Sequence, residues 1–168
     1  FDALLADPEG VDLILRDGMI TKENFDPLTL SIKSPGEQRC LAEAIYFEAR
    51  GESREGQMAV AQVVLNRVRS KHYPDTICGV VYQNEDWMNR CQFSFACDGK
   101  AERVTNNGAW HRAVDVARQI LLAGGRELAT VGGATHYHAT SVSPRWAGEM
   151  HKVDQIGAHI FYVTGRRG

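Results

Sequence analysis

The sequence predicts an α+β domain, mainly helical, with a small antiparallel sheet late in the chain. Three observations predict it. Two helix-periodic segments follow one another between residues 34 and 70, a third helical pattern covers residues 110–123, and short β-branched and aromatic runs come only after residue 134. Helices first and strands last, without strand–helix alternation, is the order of an α+β architecture.

The elements follow in chain order. Residues 1–33 carry seven acids (Asp2, Asp7, Glu9, Asp12, Asp17, Glu23, Asp26) against Arg16, Lys22 and Lys33, a net charge of −4. Pro8, Gly10, Gly18 and Pro27 break any long periodicity, so this stretch reads as an acidic N-terminal arm or linker with one short helix around Val11–Arg16. The domain proper is expected over 34–168. Ser34-Pro35-Gly36-Glu37 supplies an N-cap, a proline at the first helical position and a capping-box acid. Leu41, Ala44, Ile45 and Glu48 continue at helical spacing, and Gly51 is the expected stop. A second helix is expected from about Arg54 to Ser70, with Met58, Ala61, Val64, Leu65 and Val68 as its apolar stripe, before Tyr73-Pro74-Asp75 turns the chain. Residues 75–108 read as irregular. A third helix uses Trp110, Val114, Ala117, Ile120 and Leu121 and closes at Gly124-Gly125, after which Ala134–Ala139 and His159–Val163 read as strands.

Composition narrows the function. Hydrophobic residues make up 43% and charged residues 24% of the 168, which excludes disordered, collagen-like and coiled-coil proteins. The net charge of −2 gives no basic field for nucleic acid, and no charge-free stretch is apolar enough to span a bilayer. The chain opens at Phe1 without an initiator Met or signal segment and reads as a processed or trimmed piece. Cys40, Cys78, Cys91 and Cys97 allow three pairings. Their spacing lacks the clustered pairs of a metal site, so two disulfides in an exported protein are preferred over four buried thiols.

Several residues carry possible chemistry. Glu48 lies in the last turn of an apolar-faced helix, where the dipole and burial beside Tyr46 or Phe47 would raise its pKa toward that of a general acid. Glu52 is a like charge one turn on, if the helix continues, and would push the same way. The plain alternative is that both are solvated surface acids. His136 and His138 share one face of a strand and would chelate a metal with His111, His151 or His159 as a third ligand. They serve equally as polar cleft or core residues. Ser94 lacks a nucleophile's context, and the aromatics Tyr46, Phe47, Trp87, Phe93, Phe95, Tyr137 and Trp146 suit either a stacked sugar or a core.

The segment Ala44-Ile45-Tyr46-Phe47-Glu48-Ala49-Arg50-Gly51-Glu52, with Gly56-Gln57 and Val63–Val68, resembles the cell-wall hydrolases of the SleB/CwlJ type. The blocks Tyr73–Val81, Cys91–Phe95 with Cys97-Asp98-Gly99, Ala134–Ala139 leading to Pro144-Arg145-Trp146, and Ile156–Tyr162 agree with it, over about residues 37–163. The resemblance implies a lysozyme-like fold acting on peptidoglycan, with Glu48 as catalytic acid. The chain resembles the Gram-negative branch, where His136-Tyr137-His138-Ala139 replaces a tyrosine-rich strand of the spore enzymes. Gln92, Phe93, Ser94, Tyr137, His136, His138 and Glu52 are the substrate-binding candidates. With a single motif carboxylate, the implied reaction is that of a lytic transglycosylase forming 1,6-anhydroMurNAc, which requires no metal or cofactor. The alternatives are a hydrolytic muramidase with Glu52 or Asp98 as base, a zinc N-acetylmuramoyl-L-alanine amidase, and a non-catalytic wall-binding module. Cys40 is expected to pair with Cys78, and Cys91 with Cys97. Glycan strands are the expected partner of a monomeric, exported protein, periplasmic or wall-associated.

Overall fold

The computed structural model describes residues 34–83, 93–96, 103–125 and 131–164. The acidic arm with its short helix, Gln92, Asp98 and the Cys91–Cys97 pair lie outside the described residues.

Helix α1 spans Pro35–Ala49, and the Glu37 N–H donates to Ser34 Oγ at 3.3 Å, as the cap pattern predicts. The Glu37 carboxylate also accepts from the N–H groups of Ile77 (2.6 Å) and Cys78 (3.2 Å). It thereby anchors the start of a short helix, α3 (Ile77–Val81), which the sequence reading left as irregular. The signal for α3 is local: Thr76 caps Gly79 N–H at 3.0 Å. A Cβ on Gly79 would stand 2.6 Å from Thr76 Oγ1 and 2.9 Å from Pro74 Cβ, so the turn tolerates only glycine. The expected Cys40–Cys78 disulfide joins α1 to α3. Closing a loop of that length contributes about 2–4 kcal/mol.

Helix α1 stops at Ala49 without a left-handed glycine. Its C-cap is Arg50, still right-handed at φ −60 and ψ −26. The third long helix, α4 (Asn107–Leu122), does end on left-handed glycines, Gly124 (φ 73) and Gly125 (φ 65). It starts earlier than its apolar pattern suggests, because Asn106 Oδ1 caps Ala109 N–H at 2.9 Å.

Helix α2 (Arg54–Arg69) is the spine of the domain. Its expected stripe, Met58, Ala61, Val64, Leu65 and Val68, packs into the all-helical core with Leu41, Ile45, Ile120 and Leu121. A second stripe that the sequence reading missed, Ala59, Val60 and Val63, packs on Val131, Ala134, Ile156 and Phe161 beneath the sheet. The helix is therefore buried on two sides, and each fully buried Val or Leu contributes about 1.5–3 kcal/mol.

The sheet has the order β1-β3-β2, all antiparallel, with β1 at His136–Ala139, β2 at His151–Ile156 and β3 at His159–Val163. Strand β2 had no clear signature, since it is an exposed, bulged edge of mostly polar residues. The architecture is the α+β, mainly helical one expected from the sequence.

Candidate active site

Two elements meet where α1 ends. Glu48 is on the last turn of α1, and Tyr137 in β1 turns its side chain to the helical side of the sheet, opposite Phe161 in the strand register. The Tyr137 hydroxyl faces the Glu48 carboxyl group closely enough to favour its ionised form. Burial pushes Glu48 from its ordinary 4.5 up to about 7, against the hydrogen bond from Tyr137 and the charge of Arg67, which both pull it down. A carboxyl group half protonated near neutral pH can give a proton and take one back. Burial, with the Glu48 charge beside it, holds the Tyr137 phenol well above its usual range, so the phenol remains a donor.

Arg67 is the residue the sequence reading passed over. It is on α2 and only 4% exposed. Its Nε donates to the Thr135 carbonyl at 2.7 Å, and its guanidinium lies 5.0 Å from the Tyr73 ring centre and 5.4 Å from that of Phe93. The neighbouring Asn66 donates to the carbonyls of Gly132 and Ala134, both at 2.8 Å. Two consecutive α2 side chains thus hold the segment entering β1. The available signal was a polar pair directly after the apolar run Val63-Val64-Leu65, which burial of α2 on two sides brings against the β1 entry.

Glu52 occupies a different place from the one expected. Because α1 ends at Ala49, Glu52 is in the α1–α2 loop and its carboxylate reaches the β2–β3 turn. Oε1 accepts from Ala158 N–H at 3.2 Å and lies 3.7 Å from His159 Nδ1. A Cβ on Gly157, whose φ is 55, would collide with Glu52 Oε2. Burial, first of all, holds His159 below the usual histidine range, although the Glu52 charge opposes this. Burial accounts for the Glu48 shift, and the expected push from Glu52 on a continuing helix lacks its geometry.

Strand alternation separates the other candidates. Tyr137, Phe161 and His159 contact one another on the helical face, at ring-centre distances of 5.0–6.3 Å. His136 and His138 lie on the opposite face with Tyr162, where Trp146 covers them at 5.3 and 5.6 Å. His138 Nδ1 is 2.7 Å from the Ala139 carbonyl, and Nε2 is 2.8 Å from the Tyr162 hydroxyl. Both nitrogens of His138 are thus occupied, which works against the metal-chelating pair considered from sequence. Among the described residues no group of three or more His, Cys, Asp or Glu side chains is arranged to hold a metal ion. Phe93, expected against substrate, is 2% exposed and forms a floor under Arg67 and Tyr137. The backbone of Ser94 starts a short 3-10 turn, Ser94–Ala96, while its side chain and Gln92 lie outside the described residues.

A family model described as cell wall hydrolase matches residues 51–162. The chain is 33% identical over 129 residues to a spore cortex-lytic enzyme of Oceanobacillus iheyensis, covering 76% of this chain and 42% of that one. It is also 33% identical to a spore cortex-lytic enzyme of Bacillus subtilis, covering 73% of this chain and 36% of that one. The chain thus spans less than half the length of these curated relatives. Among solved structures, the catalytic domain of the germination-specific lytic transglycosylase SleB from Bacillus anthracis superposes with a TM-score of 0.58 at 30% identity, over 77% of this chain and 96% of that domain. The catalytic domain of the Bacillus cereus SleB protein gives 0.57, also at 30% identity, over 77% and 91%. These neighbours make the fold the lysozyme-like one.

Proposed function

The chain belongs to the cell wall hydrolase family, and from that premise we propose that it cleaves peptidoglycan glycan strands between MurNAc and GlcNAc as a lytic transglycosylase. One observation carries the reading. Glu48 is a half-buried carboxyl group, pushed up to about 7 by desolvation and held by Tyr137, at the junction of the helical core and the sheet. It protonates the glycosidic oxygen as the bond to the MurNAc anomeric carbon breaks. The resulting carboxylate then takes the proton of the MurNAc 6-hydroxyl, whose oxygen closes the 1,6-anhydro ring. The proton balance closes on one residue, so no second carboxylate is required. Glu48 precedes the family-matched span by three residues, so its role is argued from its geometry.

The proposal places Tyr137 as the group that orients the acid, and Gln92 and Ser94 against the sugar. Glu52 is a brace for the β2–β3 turn in this reading, which leaves the muramidase alternative without an evident base among the described residues. The catalytic unit is residues 34–168, with the acidic arm outside the chemistry. The Cys40–Cys78 disulfide supports work in an oxidising, extracytoplasmic setting, and a monomer suffices for the reaction. No helix among the described residues is long and apolar enough to cross a membrane. Mass spectrometry of muropeptides released from purified sacculi tests the reading. Anhydro ends support it, hydrated reducing ends would make the protein a muramidase, and free stem peptides would make it an amidase.

A further inference from the structure

We infer that Arg67 is a positioning residue for this reaction, holding Tyr137 and Glu48 in their paired geometry through its grip on the entry to β1. The inference rests on the reading of Glu48 as the acid. It starts from the length of the connection: Glu48 and Tyr137 lie far apart in sequence, and among the described residues β1 pairs with β3 alone. Something other than the sheet must fix how far β1 advances toward α1. The α2 side chains supply that. Asn66 holds the carbonyls of Gly132 and Ala134, Arg67 holds that of Thr135, and Tyr137 follows two residues later.

The planar guanidinium is suited to this in a way an ammonium is not. It faces two rings, Tyr73 and Phe93, while its Nε donates to the strand. Phe93 also supports the Tyr137 ring, with centres 6.5 Å apart, so one aromatic side chain braces both partners. Burial of the cation lowers its pKa, an effect opposed by the neighbouring phenols of Tyr73 and Tyr137 and by Glu48. The same positive charge favours the carboxylate of Glu48 and disfavours a charged His136. The groups around the pair are therefore Arg67 from α2, Tyr73 after α2, and His159 with Glu52 behind Tyr137, while His136, on the far face of β1, feels the Arg67 charge alone.

The experiment compares the full chain with Arg67→Lys and Arg67→Met on purified sacculi, measuring kcat and KM from pH 5 to 9, alongside a carbon-13 titration of the Glu48 carboxyl. Misplacement by about an ångström costs on the order of 100-fold, so Arg67→Lys should lose roughly 10–100-fold in kcat with KM within about twofold. Its Glu48 titration should stay near the parent value, because the charge is kept. Arg67→Met should move the Glu48 titration, and the alkaline limb of kcat/KM with it, upward by about one pH unit. The inference is overturned if Arg67→Lys keeps full kcat, or if folded Arg67→Met leaves the Glu48 titration in place. Should Arg67→Met fail to fold by circular dichroism, Arg67→Lys decides alone through its kcat-against-KM split. Failure of the reading beneath it looks different: Glu48→Gln would then remain active, whatever the Arg67 variants do to the titration.

Discussion

The last turn of α1 and the loop that follows it each carry a glutamate, and the two have little else in common. Glu48 faces inward between α2 and β1, where burial raises its pKa and Tyr137 and Arg67 limit the rise. Glu52 reaches the turn between β2 and β3 and accepts an N–H from Ala158. The side chain is the same in both places. What differs is which backbone and side-chain groups replace water around it, and that decides whether the carboxyl group exchanges a proton or braces a turn.

The widest separation of the two acids is expected in cleavage itself. Glu48→Gln keeps shape and hydrogen-bond acceptor but loses the transferable proton, so turnover of sacculi should fall by about 10⁴-fold or more, with sacculus binding retained. Substantial residual turnover would end the assignment. Next in size is Tyr137→Phe. A hydrogen bond to a charged group is worth about 1.5–3 kcal/mol, so a loss of roughly 10–100-fold is expected in kcat/KM. The alkaline limb should also move upward, because the lost bond favoured the ionised form. Unchanged pH dependence in a folded variant would remove Tyr137 from the pair.

Glu52→Gln should cost less than about tenfold in activity and about 1 kcal/mol in stability, read by thermal unfolding. A loss equal to that of Glu48→Gln would restore the two-carboxylate muramidase and erase the contrast. The smallest effect concerns stability against pH. The folded pKa of Glu48 lies above its ordinary value, so its contribution is full below about 4.5 and is lost as pH rises through about 7. Glu48→Gln should then be more stable than the parent protein at pH 8, by about 1–3 kcal/mol, with the gap closing by pH 5. Thermal unfolding at the two pH values measures this, and an equal gap at both would show that Glu48 is not strained by burial.

Helix α2 shows why part of the site was legible and part was not. Its apolar stripe from Met58 to Val68 was visible because period-3.6 spacing is a local property. The second stripe and the inward turn of Asn66 and Arg67 were not, because they depend on a sheet formed much later in the chain. In the same way His136, Tyr137 and His138 stood as one candidate cluster in sequence. Alternation along a strand was enough to split them, but only the position of the helices says which face belongs to Glu48. Strand β2 escaped because an exposed, bulged edge carries no alternating apolar pattern.

The sequence by itself determined the helix start at Ser34, a second helix from about Arg54, the glycine stop at Gly124-Gly125 and the α+β order of elements, while the start of α4 at Asn106 lay ahead of its apolar pattern. Each depends on hydrogen bonds or dihedral preferences within a few residues. The motifs around Glu48 also carry the family resemblance and point to that residue. The tertiary structure alone decided that Glu48 is partly desolvated beside Tyr137 while Glu52 binds a turn, that Phe93 lies beneath the pair and that Arg67 joins it. Desolvation and charge proximity are sums over groups far apart in the chain, and no local pattern records them until the chain has folded.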